Sequence, residues 1–182
     1  MKIVTTALIS FLLVLTAQAD PSPYAGEQTR QIKALSAAEV STLLAGHGMG
    51  LARAAELNRY PGPRHVLDLA ADLKLTPAQS SELNRVFDAM KSAALPLGRE
   101  LVDRETELDR LFTSRRASAP TVLALTREIG RLQGELRAVH LNAHVATVGI
   151  LQPAQVARYD ELRGYAVATD AGTAPTHPGH QP

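Results

Sequence analysis

Apolar positions recur along most of this chain in steps of three and four. Between Leu83 and Leu111 they fall at Leu83, Phe87, Met90, Ala94, Leu97, Leu101, Leu108 and Leu111, with Arg104 as the single charged interruption. From Val122 the run is Val122, Leu125, Ile129, Leu132, Leu136, Val139, Ala143, Ala146 and Ile150, without a miss. Alternating steps of this kind are the seam of a coiled coil. They predict helices of about 36 and 30 residues, roughly 54 and 45 Å long at the α-helical rise. The break from Thr113 to Ala119 is short and polar, which makes the two helices antiparallel neighbours. Pro96 falls inside the first. It removes a backbone donor and crowds the preceding turn, yet the seam keeps its phase from Ala94 to Leu101, so one kinked helix is expected.

Shorter elements flank this hairpin. Ser36 and Glu39 form a capping box for a helix over 37–45, which Gly46 ends. The segment Gly46-His47-Gly48-Met49-Gly50 breaks the chain before a second short helix over 50–57. Tyr60-Pro61-Gly62-Pro63 is a turn, and Pro63 starts a helix over 63–74 with Val66, Leu67, Ala70 and Leu73 on one face. A last helix over 153–165 carries Val156, Tyr159 and Leu162 to cover one end. The expected fold class is all-α, a long antiparallel helical hairpin with short flanking helices over 36–165. Residues 20–35 read as mobile, and 166–182, rich in Ala, Thr, Gly and Pro, as a disordered tail.

The first residues read as a secretory signal. Lys2 precedes the mostly apolar stretch Ile3–Leu15, and Ala17-Gln18-Ala19 has the form of a cleavage site. Export with a mature start near Asp20 is expected, and so a periplasmic location; no Cys follows to carry a lipid. Without Lys2 the balance is 18 basic to 18 acidic residues, which gives no reason to expect nucleic acid or an anionic membrane as partner. The chain has no Cys, so stability must come from packing. Aromatic residues make up only 4%, which favours thin helical layers built from Leu, Ile, Val and Ala.

One phrase occurs twice. Leu75-Thr76-Pro77-Ala78-Gln79 returns as Leu151-Gln152-Pro153-Ala154-Gln155. Each copy is a helix start: Pro suits the first helical position, Thr76 caps, and Gln79 reaches back to the cap. Gln152 is the poorer cap. Two such copies in a small, Cys-free, exported helical chain resemble the LTxxQ group of periplasmic proteins, the Spy/CpxP chaperone-like family and its heavy-metal-resistance and metal-sensor relatives. The resemblance covers roughly residues 60–165, with Gly46–Gly62 similar to the lead-in of some metal-resistance members. It implies a curved antiparallel homodimer with a concave face. A thin hairpin also has too few layers to hide both of its faces.

The candidate chemistry is a set of histidines. His140 and His144 stand four apart on one helix side, a spacing that lets two imidazoles share a divalent metal such as zinc, nickel, cobalt or copper. Leu141 stands where a zinc protease needs Glu, so this is not that motif. Further ligands would come from His65, with Asp68 and Asp72 at helical spacing below it, and from His47 and Met49. The resemblance implies His, carboxylate and Met ligands from such places; relatives with His-x-x-x-Met differ here, because His144 replaces the Met. The alternative is that these histidines are ordinary polar residues flanking the seam. His177 and His180 lie in the tail. The glycines at 46, 48 and 50 lack the preceding strand and the Gly-Lys-Ser/Thr of a phosphate loop. Asp103, Glu105, Glu107 and Asp109 alternate with Arg99, Arg104 and Arg110 as a solvated face. No nucleophile–base pattern appears, and an enzyme is not expected.

Two functions follow. The first is an ATP-independent, chaperone-like binder of unfolded client segments, presenting Met90, Leu97, Arg99, Leu101 and Arg104. The second is a metal-binding or metal-sensing protein that buffers the ion or reports it to a membrane sensor protein. A structural helical adaptor is a blander third.

Overall fold

The computed structural model describes residues 20 and 22–165. The expected signal peptide, at 1–19, and the expected tail, at 166–182, lie outside the described residues. Within them the chain forms six α-helices: α1 (Ala37–Leu44), α2 (Arg53–Glu56), α3 (Pro63–Asp68), α4 (Pro77–Thr113), α5 (Ala119–Ile150) and α6 (Pro153–Leu162). The all-α hairpin is thus present, with α4 and α5 of 37 and 32 residues as its arms. Helix α4 runs unbroken through Pro96, as the continuous seam phase requires.

The starts are where the local signals put them. Ser36 caps α1 and Thr76 caps α4, each in a reciprocal box with the residue three positions on. Ser118 caps α5 through Thr121. The ends differ more. Helix α3 stops at Asp68 rather than near 74, because the chain must turn and become extended before Thr76-Pro77: Lys74 takes a left-handed φ of 49° and Thr76 a ψ of 157°. The segment expected to be mobile is partly docked. Ile32 is buried, and Lys33 donates to Asp109 of α4 from both its backbone and its ammonium.

Two apolar cores sit along the hairpin. The first joins Leu43 of α1 to Ala94 and Leu101 of α4 and Ile129, Leu132 and Leu136 of α5. Helix α1 crosses α4 at Gly98, where a Cβ would stand 2.3 Å from the Leu43 carbonyl oxygen; only glycine permits that approach. The second core gathers Val66, Leu73, Leu83, Leu151, Val156 and Tyr159 from three helices and two turns.

The repeated phrase closes this second core. Gln79 Nε2 donates to Gln155 Oε1 at 2.8 Å, and Gln155 Nε2 returns a bond to Gln79 Oε1 at 3.2 Å. Each amide nitrogen also satisfies a backbone carbonyl next to the other copy, Gln79 that of Ile150 and Gln155 that of Leu73. Each amide oxygen accepts from its own cap residue, Thr76 or Gln152. Gln152 is the weaker cap, as expected: the Gln155 N–H is taken by its backbone carbonyl.

Candidate metal centre

The two cores leave a polar gap between them on the same helices. On α5 the buried positions beyond Leu136 are His140, Ala143, His144 and Thr147. A strict seven-residue repeat would have buried Val139 and Ala146; Val139 is half-buried and Ala146 exposed. The reason is geometric. A straight α-helix drifts about 20° per heptad against a 3.5-residue repeat, whereas an eleven-residue spacing stays in phase. Ile129 and His140, Leu132 and Ala143, Leu136 and Thr147 are such pairs. The drift turns both histidines inward.

They enter an open cavity of about 660 Å³. Helix α5 supplies His140 and His144, α4 supplies Phe87, Met90 and Lys91, and the glycine-rich segment and α2 form the facing wall with His47, Met49 and Glu56. His65 of α3 also lines it. Two glycines make room for the imidazoles. A Cβ on Gly48 would lie 3.1 Å from His140 Nδ1, and one on Gly62 2.9 Å from His144 Nε2.

The tautomer of His144 and the charge of His140 follow from their surroundings. His144 Nδ1 lies 2.6 Å from the Tyr60 carbonyl oxygen, which can only accept, so Nδ1 carries a proton and the neutral ring keeps its lone pair on Nε2. His140 is 4% exposed, and its Nε2 is buried without a partner. Burial, then the neighbouring His144 and His47, hold its pKa below the ordinary histidine value. At neutral pH it is therefore an uncharged imidazole with an orphaned buried nitrogen. That is the form and the atom that ligate a metal.

Glu56 is the residue that sequence reasoning missed. No motif surrounds it, and its role exists only through long-range contacts. Its carboxylate accepts from the Gly62 N–H at 3.2 Å and from the Tyr159 hydroxyl, lies 3.7 Å from His144 Nδ1, and lies 3.7 Å from the Arg163 guanidinium. Burial, then the Glu56 carboxylate beside it, push the Tyr159 phenol far above its usual pKa, so it stays a donor. Glu56 thereby ties α2 to α6 directly behind His144.

Other expected site residues lie elsewhere. Asp68 does not line the cavity: it is exposed and held by Arg64 Nε at 3.0 Å. Leu101 is buried in the first core and Leu97 packs against that core, so neither offers a surface for a guest; the seam that nominated them is filled by α5. Arg104 is half-buried and pairs with Glu107 at 2.5 Å, and Arg99 is exposed on the outer side. Met90 alone of that group reaches the cavity. His47 and His65 sit exposed at the rim and Met49 is 44% exposed. Among the described residues no three His, Cys, Asp or Glu side chains converge as a ready ligand set. The donors nevertheless suit a transition metal: two inward imidazoles, one with an orphaned nitrogen and one with a fixed tautomer, and more imidazole and thioether donors lining the same cavity.

Comparison with known proteins adds one finding. A family model described as heavy-metal resistance matches residues 40–158. The match runs from α1 into α6 and includes the glycine-rich segment and every histidine that lines the cavity. No curated protein and no solved structure matches the chain.

Proposed function

The chain belongs to the heavy-metal resistance family, in the Spy/CpxP-like helical group, and from that premise we propose that it binds a divalent transition metal in the cavity between its two cores. The observation that carries this reading is His140: a buried, neutral imidazole whose Nε2 has no partner, one helical turn from His144, whose Nδ1 is engaged by a backbone carbonyl. These two rings are the inner ligands, and His47, His65 and Met49 at the rim complete the set. Imidazole and thioether donors favour zinc, nickel, cobalt or copper over magnesium or calcium. Glu56 and the Tyr60 carbonyl orient His144 from behind, as outer partners of metal-bound histidines do. The ion is cargo or signal rather than a catalytic cofactor, and the protein works in the periplasm as a buffer or as a reporter to a membrane sensor.

The test is calorimetric titration of zinc, nickel, cobalt and copper. We expect at least one metal to bind, and His140→Ala with His144→Ala to weaken it at least tenfold. Unchanged affinity in the double variant overturns the site.

A second reading, chaperone-like binding of unfolded segments, is favoured by one observation. Met49, Leu57 and Tyr60, all close in sequence, are 44%, 58% and 40% exposed, and with Met90 at the cavity they give adaptable apolar contacts. Suppression of aggregation of a denatured client, reduced by Leu57→Ser, supports it; no suppression at several-fold excess removes it.

A further inference from the structure

The far end of the hairpin carries a feature that the metal reading leaves unused. From Arg110 to Arg127 the chain contains four arginines and no acidic residue. Arg110, Arg115, Arg116 and Arg127 are all exposed. The nearest carboxylates are already taken: Asp109 by Lys33, Glu107 by Arg104 and Glu128 by Arg131. Among these arginines stand two large apolar side chains, Phe112 at 58% and Leu123 at 50% exposure. They sit at the end of α4 and the start of α5, on either side of the Ser114–Ser118 turn.

Folding does not ask for this arrangement. Arg110, in the last turn of α4, complements the carbonyl end of that helix. Arg115 and Arg116 lie three and two residues before the Ser118 cap of α5, at a helix end where acidic side chains are stabilising and basic ones are not. Nor does packing require the ring of Phe112 in water. The near-neutral balance of the whole chain, +1 overall, conceals this, because the acidic residues lie elsewhere.

We propose that the hairpin tip docks reversibly on an anionic lipid bilayer, with Phe112 and Leu123 entering the interface and the arginines on lipid phosphates. The charge of the tip is complementary to such a surface. Its shape favours a bilayer over an acidic protein: the end of two helices is a small convex knob, and a stable protein interface needs about 800 Å² from each partner. A bilayer needs only a few inserted side chains and local positive charge. No helix among the described residues is long and apolar enough to cross a membrane, so this contact is peripheral.

The chain has no Trp, so Phe112→Trp places a single emitter at the tip. On vesicles of phosphatidylcholine with one quarter phosphatidylglycerol, its emission should shift to the blue and be quenched by brominated lipid. Pure phosphatidylcholine should do neither, and 0.5 M salt should reverse the shift. Adding Arg110→Gln, Arg115→Gln and Arg116→Gln should weaken binding at least tenfold, with the circular dichroism melt checking that the fold persists. A Trp at the exposed position 145, towards the opposite end of α5 from the tip, Val145→Trp, should report no change. Three results overturn the proposal: no response at position 112, an equal response at 145, or a response that survives loss of the arginines. A response at 112 that depends on protein concentration rather than on vesicles also overturns it, and marks the tip as a contact between copies of the chain.

Discussion

The two cores of the hairpin are held together by different physics. The first is a seam: Ala94 and Leu101 on α4 meet Ile129, Leu132 and Leu136 on α5 at regular intervals, so each contact predicts the next. The second has no such regularity. Val66, Leu73, Leu83, Leu151, Val156 and Tyr159 come from separate pieces of chain, and two glutamine amides fix the pieces to one another. The seam is stabilised chiefly by burial. The assembled core relies in addition on hydrogen bonds whose loss would strand the Ile150 and Leu73 carbonyls at its edge. The histidine cavity occupies the stretch where one regime gives way to the other, and its openness follows from that: neither the seam nor the clasp fills it.

The largest test of this contrast is in the seam. Leu132 is fully buried, and Leu132→Ala should cost about 3 kcal/mol by removing buried area and leaving a cavity. Urea unfolding should show it as a lower midpoint with both cores still melting together. A cost below about 1 kcal/mol would mean that the seam is loosely packed.

A smaller effect, different in kind, is expected at the clasp. Gln155→Ala deletes the pair with Gln79 and leaves the Leu73 carbonyl and the Gln152 N–H without their partner. The expected loss is about 1–2 kcal/mol, mostly the cost of leaving the shielded Leu73 carbonyl unpaired, since the exposed Gln152 N–H can turn to water. Hydrogen exchange should accelerate at 150–162 and in 66–75 while Ile129–Leu136 stays protected. Uniform acceleration across both cores would erase the distinction between them.

The smallest effect is a pH dependence of the cavity. Burial lowers the folded-state pKa of His140 below 6.5. The unfolded chain then takes up a proton near pH 6.5 that the folded chain refuses until lower pH. The contribution to stability is complete above about pH 6.5 and is lost as pH falls through the folded-state value. The metal-free melting temperature should therefore drop on acidification from pH 7 towards 5, and His140→Gln should flatten that slope. An unchanged slope would place the titration elsewhere.

Much of the architecture was legible in local patterns. The helix starts at Ser36, Thr76 and Pro153, the break after Thr113 and the two long arms all follow from caps, prolines and spacing, which act within a few residues. The heptad reading of α5 held to Leu136 and again at Ala143, but missed at Val139, half-buried, and Ala146, exposed. It cannot tell a supercoiled helix from a straight one, and over Val139–Ala146 that difference decides whether His140 faces in. Leu97 and Leu101 show the opposite error. Both stand on the seam, and the antiparallel arm that the seam predicts is what covers them, so they cannot also serve a guest.

The family was readable from the paired Leu-x-Pro-Ala-Gln phrase, yet the sequence could show only two helix starts. Their meeting across the fold, amide to amide, depends on bringing residues 79 and 155 together. Glu56 was invisible for the same reason: its neighbours include His144, Tyr159 and Arg163, each more than eighty residues away. The sequence by itself determined which segments are helical and that two of them pair, because helix caps and apolar periodicity are local. Tertiary structure alone decided which histidines turn inward, what holds the tautomer of His144 and what closes the second core, because those depend on the rotation of one helix against another.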